Sequence, residues 1–220
     1  MERSQAGIEQ DQQVGVDHHF ESWEQQHTSN LLGMWIFLAT ELMFFGGMFL
    51  AYIVFRAIYA EAFAAAAEHQ NVVLGTINTL VLVMSSLMMV LAVRGAQLGQ
   101  RKVLVFFMLA TALLGTVFLG IKAVEYSQHI NEGLAPGIRY DLSRAEAAPQ
   151  GLFFWLYFVM TGLHAIHMII GIGLVLIVAF RGWRGSFLRE RYTRAEQMGL
   201  YWHFVDLIWL YLFGLFYVLR

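Results

Sequence analysis

The chain of 220 residues is 58% hydrophobic and 14% charged, with 18 Phe, 9 Tyr and 6 Trp, which is too apolar for an ordinary soluble domain. With no cysteine it holds no disulfide, iron–sulfur cluster, thioether-attached haem or thiolate-bound copper. A formal net charge of −2 offers no basic excess, so no nucleic-acid partner is expected.

Residues 1–30 are rich in Gln and carry Glu2, Glu9, Asp11, Asp17, Glu21 and Glu24 against Arg3 alone. They lack an apolar core, which argues against a signal peptide and for a mobile polar tail. The adjacent His18 and His19 read as solvated side chains rather than a metal site.

Five apolar stretches follow, at 31–55, 72–93, 103–121, 152–180 and 199–219. Each reaches the ~17–25 residues that a helix needs to cross a hydrocarbon core, and each is too long for a strand. Of all the Asp, Glu, Lys and Arg side chains, only Glu41 and Asp206 fall inside them. The expected fold is therefore all-α, an integral membrane bundle of five transmembrane helices over residues 31–220.

Between the first two stretches, the Ala-rich 59–70 is expected to extend the first helix or lie at the interface. The segment 122–151, with Pro136, Gly137 and Pro149, reads as an irregular external loop. Orientation follows the short loop 181–198, which carries Arg181, Arg184, Arg189, Arg191 and Arg194. That excess puts this loop and the N-terminus on the cytoplasmic side and the C-terminus outside.

The polar groups inside the spans carry the information. Glu41 falls near the bilayer midplane, where a charged carboxylate costs about 2.5–3.5 kcal/mol, so it should face protein or stay protonated. No Lys or Arg lies within any of the five stretches to pair with it. It serves either as a hydrogen-bonded packing lock or as a proton-linked or lipid-contacting acid. His164 and His167, three residues apart, share a helix face with Thr161 and Gly171. Packing and hydrogen bonding is their default role; at most one b-type haem could be held, by His203 with His164 or His167. Trp202, His203 and Asp206 fall on one side of the last helix, where His and Asp could share a hydrogen bond or a proton near Glu196. Asn78, with Thr76, Thr79, Ser85 and Ser86, suits close helix packing.

Five runs, in this order, resemble subunit III of the haem-copper oxidases, the cytochrome c oxidase group in particular. They are Trp35-Ile-Phe-Leu-Ala-Thr-Glu-Leu-Met-Phe-Phe, Ile77-Asn-Thr-Leu-Val-Leu, Lys122-Ala-Val-Glu-Tyr, Thr161-Gly-Leu-His-Ala-Ile-His-Met-Ile-Ile-Gly and Tyr201-Trp-His-Phe-Val-Asp-Leu-Ile-Trp. The resemblance spans residues 30–220. It implies an accessory subunit with no haem, copper or catalytic residue of its own, packed against subunit I beside subunit II in a bacterial cytoplasmic membrane. That complex reduces oxygen to water and pumps protons; this subunit would sustain proton uptake and the stability of subunit I. The resemblance also implies that Glu41, Glu125, His203 and Asp206 are lipid- or proton-linked. Asn78, His164, His167 and Trp202 are implied at helix contacts or bound phospholipid. Longer members have seven helices, and this chain lacks the first two, one arm of a lipid-holding cleft. The competing readings are the same subunit of a quinol oxidase or nitric oxide reductase, or an independent haem-b membrane protein.

Overall fold

The computed structural model describes residues 23–135, 147–184 and 188–219, and among these it contains helices and no strand. The helices are α1 (Trp23–Ile58), α2 (Ala60–Ala67), α3 (Val72–Gln97), α4 (Arg101–Asn131), α5 (Ala147–Arg184) and α6 (Leu188–Phe213). A π-helical turn, Gly214–Val218, continues α6. All but α2 are long and apolar enough to cross a membrane, giving five spans. The polar tail before residue 23 lies outside the described residues.

Three boundaries differ from the sequence reading, each for a local reason. Helix α1 begins at Trp23, so residues 23–30 are helical; Gln197 Nε2 donates to the Asn30 carbonyl at 3.1 Å and holds this end to α6. Helix α4 runs to Asn131, well past the expected limit at residue 121, because Lys122 and Glu125 are buried and paired inside the bundle. The segment expected as a loop from residue 122 is therefore helical in its first part. At its far end the described part of α5 starts at Ala147 and already includes Pro149, ahead of the expected start at residue 152. Helix α5, at 38 residues, spans about 57 Å, beyond the ~30 Å hydrocarbon core.

Short connections bring α3 and α4 together. Asn71 caps α3, its side-chain oxygen accepting from the Leu74 N–H at 3.1 Å. Gly99, with φ 67°, ends α3 in the left-handed region, and the Gln100 N–H closes onto the Gly95 carbonyl at 2.8 Å. Gly133, with φ 76°, ends α4 in the same way. Helix α6 is the most buried span and α1 the least; α6 packs chiefly against α3 and α5, and α4 packs against those same two helices. The core is aromatic: Trp202, Trp209, Tyr157, Tyr217, Phe118, Phe153 and Phe216 are all buried. Trp202 fits a slot that only glycine leaves open; a Cβ on Gly115 would lie 2.9 Å from its ring, and one on Gly171 3.3 Å away.

Candidate functional site

Three polar clusters interrupt this apolar bundle. The first joins α1 to α5. His167 Nε2 and Glu41 Oε2 are 3.1 Å apart, with the two side chains 16% and 20% exposed. The other ring nitrogen, Nδ1, lies 2.8 Å from the Leu163 carbonyl, which can only accept, so Nδ1 carries a proton. The Nε2–Glu41 contact then needs one further proton, borne by either partner. Glu41 thus meets a polar partner from another helix of its own chain, a histidine rather than a Lys or Arg. Tyr201 donates to the His167 carbonyl at 3.0 Å, and the Phe45 ring meets the imidazole edge-on at 5.3 Å. The pair opens on a groove of about 530 Å³ walled by Met34, Phe37, Ile170, Leu174 and Ile177, which Arg181 and Arg194 also line.

The second cluster lies between α3 and α6. Trp202 Nε1 donates to Ser85 Oγ at 2.8 Å, and His203 Nδ1 pairs with Ser86 Oγ at 2.7 Å. Asp206 is buried, and neither carboxyl oxygen has a hydrogen-bond partner among the described residues, although Ser86 lies beside it. The direct His203–Asp206 hydrogen bond allowed by the sequence does not form; His203 turns to Ser86 of α3 instead. His203 lines a second groove, of about 500 Å³, with His27, Trp35, Arg94 and Glu196. Glu196 pairs there with His27 at 4.0 Å, and His27 Nδ1 meets Thr193 Oγ1 at 3.2 Å.

The third cluster lies just past the third apolar stretch. Lys122 Nζ donates to Glu125 Oε2, Tyr157 OH and Tyr217 OH, each at 2.9 Å, which uses all three ammonium protons. Tyr217 OH in turn donates to the other Glu125 oxygen. The rings of Tyr157 and Trp209 lie 4.8 and 5.1 Å from the ammonium, in cation–π range. Sequence reasoning reaches Glu125 through resemblance alone and puts Lys122 in a loop. The available signal is the apolar pattern continuing through Ala123, Val124 and Tyr126 with Lys and Glu at helical spacing.

His164 and His167 do not act together. His164 is buried between Phe118 and Trp209, at ring distances of 5.5 and 5.3 Å, and neither nitrogen has a hydrogen-bond partner among the described residues. His167 turns instead to α1. Asn78 is fully buried, likewise without a described partner for its amide. Among the described residues no three His, Asp or Glu side chains gather as a metal-ligand group.

Comparison with known proteins matches residues 21–219 to the family model described as cytochrome c oxidase subunit III. A cytochrome c oxidase subunit 3 from Thermostichus vulcanus is 34% identical over 211 residues, covering 94% of this chain and 93% of the relative. A probable quinol oxidase subunit 3 from Staphylococcus haemolyticus is 26% identical over 190 residues, covering 86% of this chain and 89% of the relative. A probable quinol oxidase subunit 3 from Staphylococcus aureus is 27% identical over the same length and coverage.

Proposed function

The chain belongs to the subunit III family of the haem-copper oxidases, and on that premise we propose that it is an accessory, non-redox subunit of a respiratory cytochrome c oxidase. It packs against subunit I, with subunit II in the same complex, in a bacterial cytoplasmic membrane with its N-terminus inside. Its task is to keep subunit I stable and supplied with protons while oxygen is reduced to water. The observation that carries the cytochrome c branch is the higher identity to the cytochrome c oxidase relative, 34% against 26% for the quinol oxidase relative. The quinol relatives favour one second reading, the same subunit in a quinol oxidase.

The groove beside Glu41 supports a phospholipid as a structural ligand. Its apolar walls suit an acyl chain, Arg181 and Arg194 suit a phosphate, and the Glu41–His167 pair gives a polar contact deep in the groove. A lipid there would fill the space between α1 and α5.

The test is affinity purification through a tag on this chain. The expected result is a complex containing subunit I with haem and copper, which oxidises cytochrome c, whereas the isolated chain has no Soret band. A complex that oxidises quinol but not cytochrome c overturns the branch. Stoichiometric haem on the isolated chain overturns the accessory role. Removing the chain from the complex should shorten its active lifetime and slow proton uptake; unchanged turnover and uptake would refute the supporting role.

A further inference from the structure

The last turn of α6 is wider by one residue than an α turn, and the geometry points to it as a two-register element that couples the external half of α1 to the buried Lys122–Glu125 pair. In an α-helix the Leu219 N–H would donate to the Leu215 carbonyl, four residues back. Here it donates to the Gly214 carbonyl, five back, at 3.0 Å, which closes the π-helical turn Gly214–Val218. The Leu215 carbonyl so released accepts from Tyr52 of α1, whose hydroxyl lies 2.8 Å away. Tyr52 is fully buried, and its ring meets Phe216 edge-on at 4.9 Å. The same turn presents Tyr217 to α4, where its hydroxyl accepts from Lys122 Nζ at 2.9 Å and donates to Glu125.

Turns of this kind are rare inside helices and recur at functional sites. Two sets of contacts favour this one. An extra residue shifts the side chains beyond it by up to about 100° around the axis, so a return to the α register would swing Tyr217 off Lys122 and Glu125. It would also return the Leu219 N–H to the Leu215 carbonyl and turn that carbonyl away from Tyr52. Gly75 of α3 leaves the slot that Tyr217 fills, since a Cβ there would lie 2.7 Å from the tyrosine ring. Among the described residues the hydrogen bonds of Lys122 and Glu125 reach α5 and the turn but not α1, so their hold on α1 runs through the turn. Tyr52 and the ion pair both bias the same register, and each therefore strengthens the other's contact; such coupling is reciprocal. In this way α1, the least buried span, is secured at its external half by a charge pair that belongs to another helix.

The experiment uses the whole oxidase complex in lipid nanodiscs, with Tyr52→Phe, Tyr217→Phe and the double variant, changes that remove hydroxyls and keep every ring. Amide hydrogen exchange is read by mass spectrometry over residues 50–58 of α1 and 214–219 of the turn. Tyr217→Phe should speed exchange over 50–58, a segment that Tyr217 does not bond, about three- to tenfold, the worth of one lost hydrogen bond. Tyr52→Phe should speed exchange over 214–219 by a similar factor. Because either change releases the turn, the double variant should gain less than the product of the two single effects. An electron cryo-microscopy map of the double variant should show the Leu219 N–H back on the Leu215 carbonyl. Wild-type exchange over 50–58 in Tyr217→Phe, single effects that multiply in the double variant, or a π turn that survives the loss of both hydroxyls overturns the coupling. No readout involves turnover, so such a failure leaves the accessory role standing.

Discussion

Glu41 of α1 and His167 of α5 meet at 3.1 Å, and because the imidazole spends its Nδ1 proton on the Leu163 carbonyl, the contact is bridged by one proton shared between acid and base. The polar contact also fastens the least buried span to the bundle. Glu41→Gln keeps a donor for Nε2 and should preserve the attachment of α1. His167→Leu should strand a carboxyl without its partner and loosen the helix by about 1–3 kcal/mol. Limited proteolysis of the complex near the N-terminal end of α1 distinguishes the two. Equal protection in His167→Leu and wild type would show that the pair adds nothing to the packing.

The Lys122–Glu125 network makes a prediction about pairs. Removing the cation alone, in Lys122→Met, leaves a buried carboxylate and two tyrosine hydroxyls short of a partner, and should cost about 3–5 kcal/mol. The double change Lys122→Met with Glu125→Gln removes the stranded charge and should recover a substantial part of that loss. Thermal unfolding of the purified complex, followed by release of this chain, measures both. A double variant no more stable than Lys122→Met would mean that the ammonium, rather than the pair, supports the fold.

Gly115 is required by its neighbour across the bundle. A Cβ at this position would approach the Trp202 ring to 2.9 Å, so Gly115→Ala should destabilise by about 1–3 kcal/mol through overpacking. Gly120, on the same helix, leaves open space for 4 Å around the point where a Cβ would stand, and Gly120→Ala should be neutral or slightly stabilising. Comparing unfolding midpoints of the two variants tests the packing argument directly, since both add the same methyl group to α4.

The lipid reading of the groove predicts a change in composition. Arg181→Gln with Arg194→Gln removes both cations that line it and should reduce the anionic phospholipid retained through purification. Mass spectrometry of the extracted lipid gives the ratio. Retention equal to wild type would remove these arginines from any headgroup site.

Five spans are legible because long apolar runs in this chain admit one solution: a backbone in hydrocarbon must satisfy its own hydrogen bonds, and a helix does so. The acids inside the runs, Glu41 and Asp206, stand out for the same reason; Asn78 and Trp202, which the sequence offers as helix-packing or lipid-contacting positions, are fully buried. What stays hidden is pairing. Periodicity along α5 shows that His164 and His167 lie near one another on the helix; only the arrangement of neighbouring helices sends one against Trp209 and the other against Glu41. A count of apolar residues stops α4 at Ile121 because Lys122 is charged. The helix continues since Glu125, Tyr157 and Tyr217 neutralise and solvate that charge from three directions, two of them distant in sequence. Likewise His203 and Asp206 are one turn apart, yet the hydroxyl that His203 meets comes from α3, 117 residues away. Local composition thus determined which segments enter the membrane. Side-chain partners across helices were decided by packing, because the energy of a buried polar group depends on what faces it, and that is set by residues remote in the chain.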